Sequence, residues 1–439
     1  MSRSFLVHTA LSSAAVAAIL LAGCDPICTD GVSGPGQGKV TRNAAGTCVQ
    51  VVVTQPDAGE DAGPGTGDAG DAGGDPDAGT DGGVCGAGPG WTAQVLDENI
   101  DSLATAFVFD AQGVGHYAYS KDAHLYVGTT RPGDAPARVE NVWTTGFDVH
   151  MKLAPDGTHH VLYQYGEHVG YATDANGAWE FSYLERGWAS AIALDAEGRP
   201  HVLIARPAPL VGYLYGFESA TGTWSQAVLE EVGAVGDRER MTVDANGHVH
   251  FVFARMSGAQ SQVVYASNVS GTWAAEPLSW WLPTGSPRLR IALEVDATGR
   301  PSLLGSDDQG AWLWVKEDSG WKSYGLGAFR SRGPALTRSA LFPNIRHALL
   351  DDADPDANVN GSASRLVVKA LYGTDPVATT PPLVLETLDG GNALPGPSSL
   401  QVDDQGRVQV GLSYAHYTYP AGGGLPKVTR GLSYAHYCP

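Results

Sequence analysis

Basic residues are scarce in this chain: 27 Lys and Arg stand against 47 Asp and Glu, a net charge of -20. Phosphate backbones are bound by Lys and Arg gathered on one face, and the chain has no basic run, so nucleic acid is excluded as a partner. Past Leu21 no apolar run is long enough to cross a membrane. Cysteine is limited to five residues, none at zinc-finger spacing. No nucleophile motif, phosphate-binding loop or paired-His metal motif stands out. Only 17% of residues are charged, whereas glycine (57), proline (27) and aromatics (11 Trp, 17 Tyr, 10 Phe) are plentiful. That balance favours short strands and many turns over long helices, so the chain reads as all-β.

The first residues, MSRSFLVHTALSSAAVAAILLAGC, place Arg3 before an apolar stretch that ends in small residues at Cys24. This is the pattern of an export signal. Its end, Leu21-Ala22-Gly23-Cys24, resembles a bacterial lipobox. The resemblance implies removal of residues 1–23, acylation of Cys24, and a membrane partner reached through lipid instead of a spanning helix. Residues 24–53 then form a small Cys-containing segment near the anchor. Residues 54–84 are rich in Asp, Ala and Gly; Thr54 to Gly83 holds seven Asp, one Glu and no basic, aromatic or large aliphatic residue. Such a stretch cannot build a core and is expected to be a self-repelling tether. It resembles the tethers of myxobacterial lipoproteins, which implies the outer membrane or cell surface of a Gram-negative bacterium.

From residue 85 to 439 a longer period governs the chain. FVFDAQGVGHYAY, LAPDGTHHVLYQY, IALDAEGRPHVLIA, MTVDANGHVHFVFA, LEVDATGRPSLLG and LQVDDQGRVQVGL are each two alternating strands around a polar turn. Their turn glycines, Gly113, Gly157, Gly198, Gly247, Gly299 and Gly406, recur at intervals of 44, 41, 49, 52 and 107 residues. The last interval holds one degenerate member that turns at Pro343-Asn344. A second marker is a Trp opening another strand, at Trp91, Trp179, Trp224, Trp273 and Trp321. Unmarked strands are expected at PARVENV and near PPLVLETL. Both counts give seven four-stranded units, a seven-bladed β-propeller, with six and eight blades as the neighbouring counts. The repeats resemble NHL-type and Asp-box-type bacterial propellers. They lack the full Ser-x-Asp-x-Gly-x-x-Trp motif, so sialidase-like activity does not carry over.

The chain enters the repeats with a lone outer strand at Trp91 and leaves them with three strands that lack an outer one. The N-terminal strand is therefore expected to complete the seventh blade. A Cys85–Cys438 bridge would replace the missing hairpin there, and Cys28–Cys48 would staple the segment near the anchor. The heptapeptide GLSYAHY, present at 411–417 and again at 431–437, falls on the second and third strands of that blade. Its two copies are expected to pair out of register.

Five histidines and two other polar residues share one repeat position: His116, His160, His201, His250, Ser302, His347 and Gln409. Packing and hydrogen bonding are the expected reasons. The insertion DDADPDANVNGSAS offers a candidate calcium loop through Asp352, Asp354, Asp356, Asn358 and Asn360, although Val367 stands where the usual final Glu belongs. Connecting loops carry Trp143, Phe147, Trp188, Arg238, Trp280, Trp281, Arg288, Phe329, Arg330 and Arg332. Trp stacks on apolar sugar faces and Arg pairs with carboxylates, so these are candidate ligand-binding residues. The expected function is a surface-anchored, monomeric recognition module for a glycan, peptide or protein. A polysaccharide hydrolase or lyase and a structural envelope component are the alternatives.

Overall fold

A computed structural model describes residues 39–42, 48–51 and 90–438. Excepted within the last span are 147, 207–211, 220–222, 230–239, 258–259, 283–290, 308–309, 328, 340–344, 353–364, 373–374, 379–382, 385–392, 404–405 and 419–425. Among the described residues there is no helix, and the strands from residue 90 onward form seven antiparallel sheets. The protein is a seven-bladed β-propeller. Each blade has strands A to D from the axis outward, and blades 1 to 7 start with A strands at Ala106, Val149, Trp188, Arg240, Ile291, Arg330 and Ala393.

The glycines that mark the repeats make the A-to-B turns. In blades 1, 3, 4, 5 and 7 an Asp opens the turn (Asp110, Asp195, Asp244, Asp296, Asp403) and its carbonyl accepts from the glycine three residues on. Its carboxylate accepts the amide four residues on, at 2.8–2.9 Å. The six glycines have φ between +76° and +91°, a region that a side chain makes costly. Blade 2 keeps the backbone pattern with Ala154 in place of Asp.

Adjacent blades are joined by a repeated three-residue contact that accounts for the marker Trp and for the shared His position. Nδ1 of His160, His201 and His250 on B strands is hydrogen-bonded to the hydroxyls of Tyr171, Tyr215 and Tyr265 on the neighbouring C strands, at 2.6, 2.6 and 2.5 Å. The marker Trp of the next blade meets that Tyr edge-on: Trp224 on Tyr171, Trp273 on Tyr215 and Trp321 on Tyr265, centroids 5.1–5.3 Å apart. Each contact buries a large ring and satisfies its hydroxyl. In blade 1, His116 instead meets His159 of blade 2 at 2.8 Å, and His159 is held by Asp174 at 2.7 Å.

Blade 7 combines Ala393–Val402, Val408–Thr418 and Lys427–Cys438 with Gly90–Glu98 as its D strand. The N-terminal strand thus closes the ring. Cys438 pairs along the backbone with Gly90 and is disulfide-bonded. The GLSY halves of the two heptapeptides pair with each other, Gly411 with Tyr434, Leu412 with Ser433, Ser413 with Leu432 and Tyr414 with Gly431. Each half presents to its copy the complement that the copy presents back. Gly431 leaves space for the Tyr414 ring, since a Cβ there would lie 2.4 Å from it. Tyr163 over Gly170 and Tyr117 over Gly128 repeat this in blades 2 and 1.

Two features depart from the sequence expectation. The D side of blade 6 is formed by Asp375–Ala378 and Leu383–Val384, both against strand C, so it begins earlier than PPLVLETL. A hairpin of Lys39–Arg42 and Cys48–Val51 adds to the outer edge of blade 2, where Val49 to Val51 pair with Ser182 to Glu180. An unpaired outer strand offers free backbone groups to any extended segment. The chain leaves that hairpin at Val51 and enters the ring at Gly90.

Candidate functional site

Each D strand leads to the A strand of the next blade, so D-to-A connections and B-to-C turns share one face of the ring. Among the described residues, every exposed Trp and Tyr is at this end: Trp143 (49%), Trp188 (51%), Trp281 (42%), Tyr165 (39%) and Tyr417 (37%). Trp143 ends strand D of blade 1, Trp188 opens strand A of blade 3, and Trp281 lies near the end of strand D of blade 4. Tyr165 and Tyr417 lie at the ends of the B strands of blades 2 and 7.

The scaffold beneath these rings is tightly bonded. Buried Gln164 accepts from the amide of Ala189 at 2.9 Å and donates to the carbonyl of Gly187 at 2.9 Å, pinning the backbone on both sides of Trp188. The same amide nitrogen donates to Gly166 and His168 across the B-to-C turn of blade 2. Trp143 pairs with His124, their rings 4.0 Å apart, and the following amide of Thr144 donates to Ala123. Asp101 accepts the amides of Asp122 and Ala123, fixing the left-handed turn beside Trp143. Gln262, paired with Trp281, donates to the carbonyl of Leu278 at 2.9 Å. Rings held this way lose little freedom on binding.

Trp280 departs from the expected set. It is 3% exposed and stacks on Trp314 of blade 5, ring planes 9° apart, because alternation along the strand turns it inward where Trp281 turns outward. It packs blades 4 and 5 together. Phe329 is half-buried with the Lys369 ammonium 3.9 Å from its centroid. Phe147, Arg238, Arg288, the side chains of Arg330, Arg332 and Asp352, and the loop with Asp354, Asp356, Asn358 and Asn360 lie outside the described residues. The same holds for Cys24, Cys28 and Cys85; Cys48 contributes backbone pairing alone.

The shared repeat position is buried throughout, from 0% at His250 and Ser302 to 9% at His347. Burial pulls His116, His201, His250 and His347 below the ordinary imidazole range, and His160 down to about 4. Near the turn Asp, Nε2 of His201 and of His250 lies 3.5 Å from Asp195 and Asp244.

Sequence reasoning passed over two residues of the axial channel. Lys152 and Arg240 line both of its sections, of about 410 and 150 Å³. Aligning the repeats offers a signal: the equivalents of Lys152 in blades 1, 3 and 4 are Val108, Ala193 and Thr242. Blades 5 and 7 carry Glu294 and Gln401 there, so Lys152 is the one cation among these six positions.

No protein-family profile matches the chain, and no curated protein matches it. Among solved structures it is similar to virginiamycin B lyase from Staphylococcus aureus, at 10% identity over 78% of this chain and 99% of that one, TM-score 0.47. It is also similar to an ulvan lyase of a polysaccharide lyase family, at 10% identity over 76% and 93%, TM-score 0.49. A third is an α-L-arabinofuranosidase from Fusarium graminearum, at 11% identity over 62% and 94%, TM-score 0.39. Likeness at this level assigns no activity to the present chain.

Proposed function

We propose that the propeller is a recognition module whose exposed Trp face takes a glycan, and that a lipid on Cys24 holds it at the cell envelope. One observation carries the reading: Trp143, Trp188 and Trp281 are 42–51% exposed on the same face of the ring. Exposed indole faces stack on the apolar faces of sugars at small entropic cost when their backbone is already fixed. The lipobox-like Leu21-Ala22-Gly23-Cys24 supports the anchor. Cys85 is the proposed partner of Cys438, since it precedes by five residues the Gly90 that pairs with Cys438.

A glycan array probed with the protein tests the reading. Binding that weakens at least tenfold in Trp188→Ala and Trp143→Ala, with unchanged melting, supports it. Failure of every sugar to bind rejects it, and a bound polysaccharide that is cleaved would replace recognition by catalysis. For the anchor, Cys24→Ala should move the protein from the membrane to the soluble fraction.

A further inference from the structure

The axial channel differs in charge from the molecule around it. The chain is acidic by 20, yet among the described residues the wider channel section, about 410 Å³, is lined by Lys152 and Arg240 and by no carboxylate. Among the described residues the narrower section adds one carboxylate, Asp148. Asp148 precedes Lys152 by four residues of extended chain, a separation of about 13 Å. Glu294 of blade 5 is engaged elsewhere, with Arg338 at 2.6 Å and Arg346 at 3.5 Å. Among the described residues Lys152 has no ion pair or hydrogen bond. Burial, reinforced by the charge of Arg240, pulls its ammonium below the ordinary lysine range.

The two cations stand on blades 2 and 4, and blade 3 between them lends the wall Ala191 and Ile192. Leu293, Leu336 and Val108 line the same section together with Thr337, Ser399 and Gln401, whose hydroxyls and amide make the wall mixed. Like charges held close repel each other, and an anion between them relieves that repulsion. A lysine ammonium beside an arginine fork is the donor set that suits an oxyanion. The section's volume falls within the range of small-ligand pockets, roughly 300–1,000 Å³.

We propose that Lys152 and Arg240 form an anion site in the axial channel that takes the carboxylate or sulfate group of a small ligand. The group arrives either as a free anion or as the charged end of a longer chain lying across the Trp face. The site itself stands independently of the glycan reading.

The test is thermal melting and calorimetry of the full-length chain in detergent with sodium sulfate, galacturonate and a galacturonate trimer, against sodium chloride at equal ionic strength. In the wild type at least one of these probes should raise Tm by 3 °C or more beyond chloride. Lys152→Met should abolish that shift while melting, unliganded, at or above the wild-type temperature. Arg240→Gln should weaken binding at least tenfold, and it decides the matter alone if Lys152→Met does not fold. A response equal to chloride, or an undiminished shift in the folded variants, overturns the site. Trp188→Ala separates the sources: a loss confined to the trimer points to a chain end, and equal binding of all probes points to a free anion.

Discussion

Blades 3 and 7 are the same four-stranded sheet made in two ways. Blade 3 uses consecutive strands from Trp188 to Leu229, whereas blade 7 takes three strands from the end of the chain and its fourth from Gly90–Glu98. The seam is not poorer in pairing: eight residue pairs join it to strand C, against six between C and D of blade 3. Its side chains are engaged as well, with Trp91 against Tyr437 and Ser433 donating to the carbonyl of Gln94. The difference lies in the denatured state, where the seam's partners are separated by the whole ring. Closing such a loop costs only slightly more than closing a short one, because the entropy grows logarithmically with length.

Removing the seam strand should have the largest effect. A chain lacking residues 90–98 leaves strand C of blade 7 open along its outer edge, beside Leu432 and Tyr434, both buried in the native ring. It should lose cooperative melting or melt more than about 10 °C lower, as followed by circular dichroism. An unchanged melt would mean that the seam contributes pairing without closure.

Breaking the covalent tie comes next. Cys438→Ala should lose about 2–5 kcal/mol, and reductant should lower the wild-type midpoint without moving the variant. Glycine substitutions then compare the packing of the seam with that of a local blade. A Cβ would sit 2.4 Å from the Tyr414 ring at Gly431 and 2.2 Å from the Tyr163 ring at Gly170. Both alanine variants should therefore lose about 1–3 kcal/mol in denaturant titrations. Gly247→Ala meets no such contact, and its φ of +81° should cost about 1–2 kcal/mol.

Mild acid should act on the two blades differently, with the smallest effect. Blade 3 carries His201 where blade 7 carries Gln409. The folded imidazole resists protonation while the unfolded one binds a proton below about 6.5, so stability is full above that value and falls as pH drops towards the folded value. For His160, lowered to about 4, the window runs from 6.5 to 4 and amounts to about 3 kcal/mol. The depressed carboxyls of Asp195 and Asp244 add their loss only at lower pH, below the unfolded carboxylate range. Hydrogen exchange between pH 6.5 and 4 should show blades 2 to 4 losing more protection than blade 7, where burial also lowers His436, and His201→Gln should reduce the difference. Equal loss in all blades would remove the histidines as its cause.

Much of the fold was legible because a propeller is a local repeat. Each turn glycine and each marker Trp answers a demand made within one blade, so spacing was enough to count blades, find the seam and assign the histidines to structure. Trp280 and Trp281 show where that reasoning stops. They are neighbours of one kind, and only the phase of their strand sends one into the blade 4–5 interface and the other to solvent. The hairpin at 39–51 was passed over because its partner edge on blade 2 lies more than a hundred residues away.

By itself the sequence determined the acidic segment, the seven repeats and the strand that closes them, since those follow from composition and period. The tertiary structure alone decided which rings share a face. It also brought Lys152 and Arg240, 88 residues apart, into one channel. Periodicity governs what each strand buries, but charges meeting across the axis depend on ring closure, a property no single repeat contains.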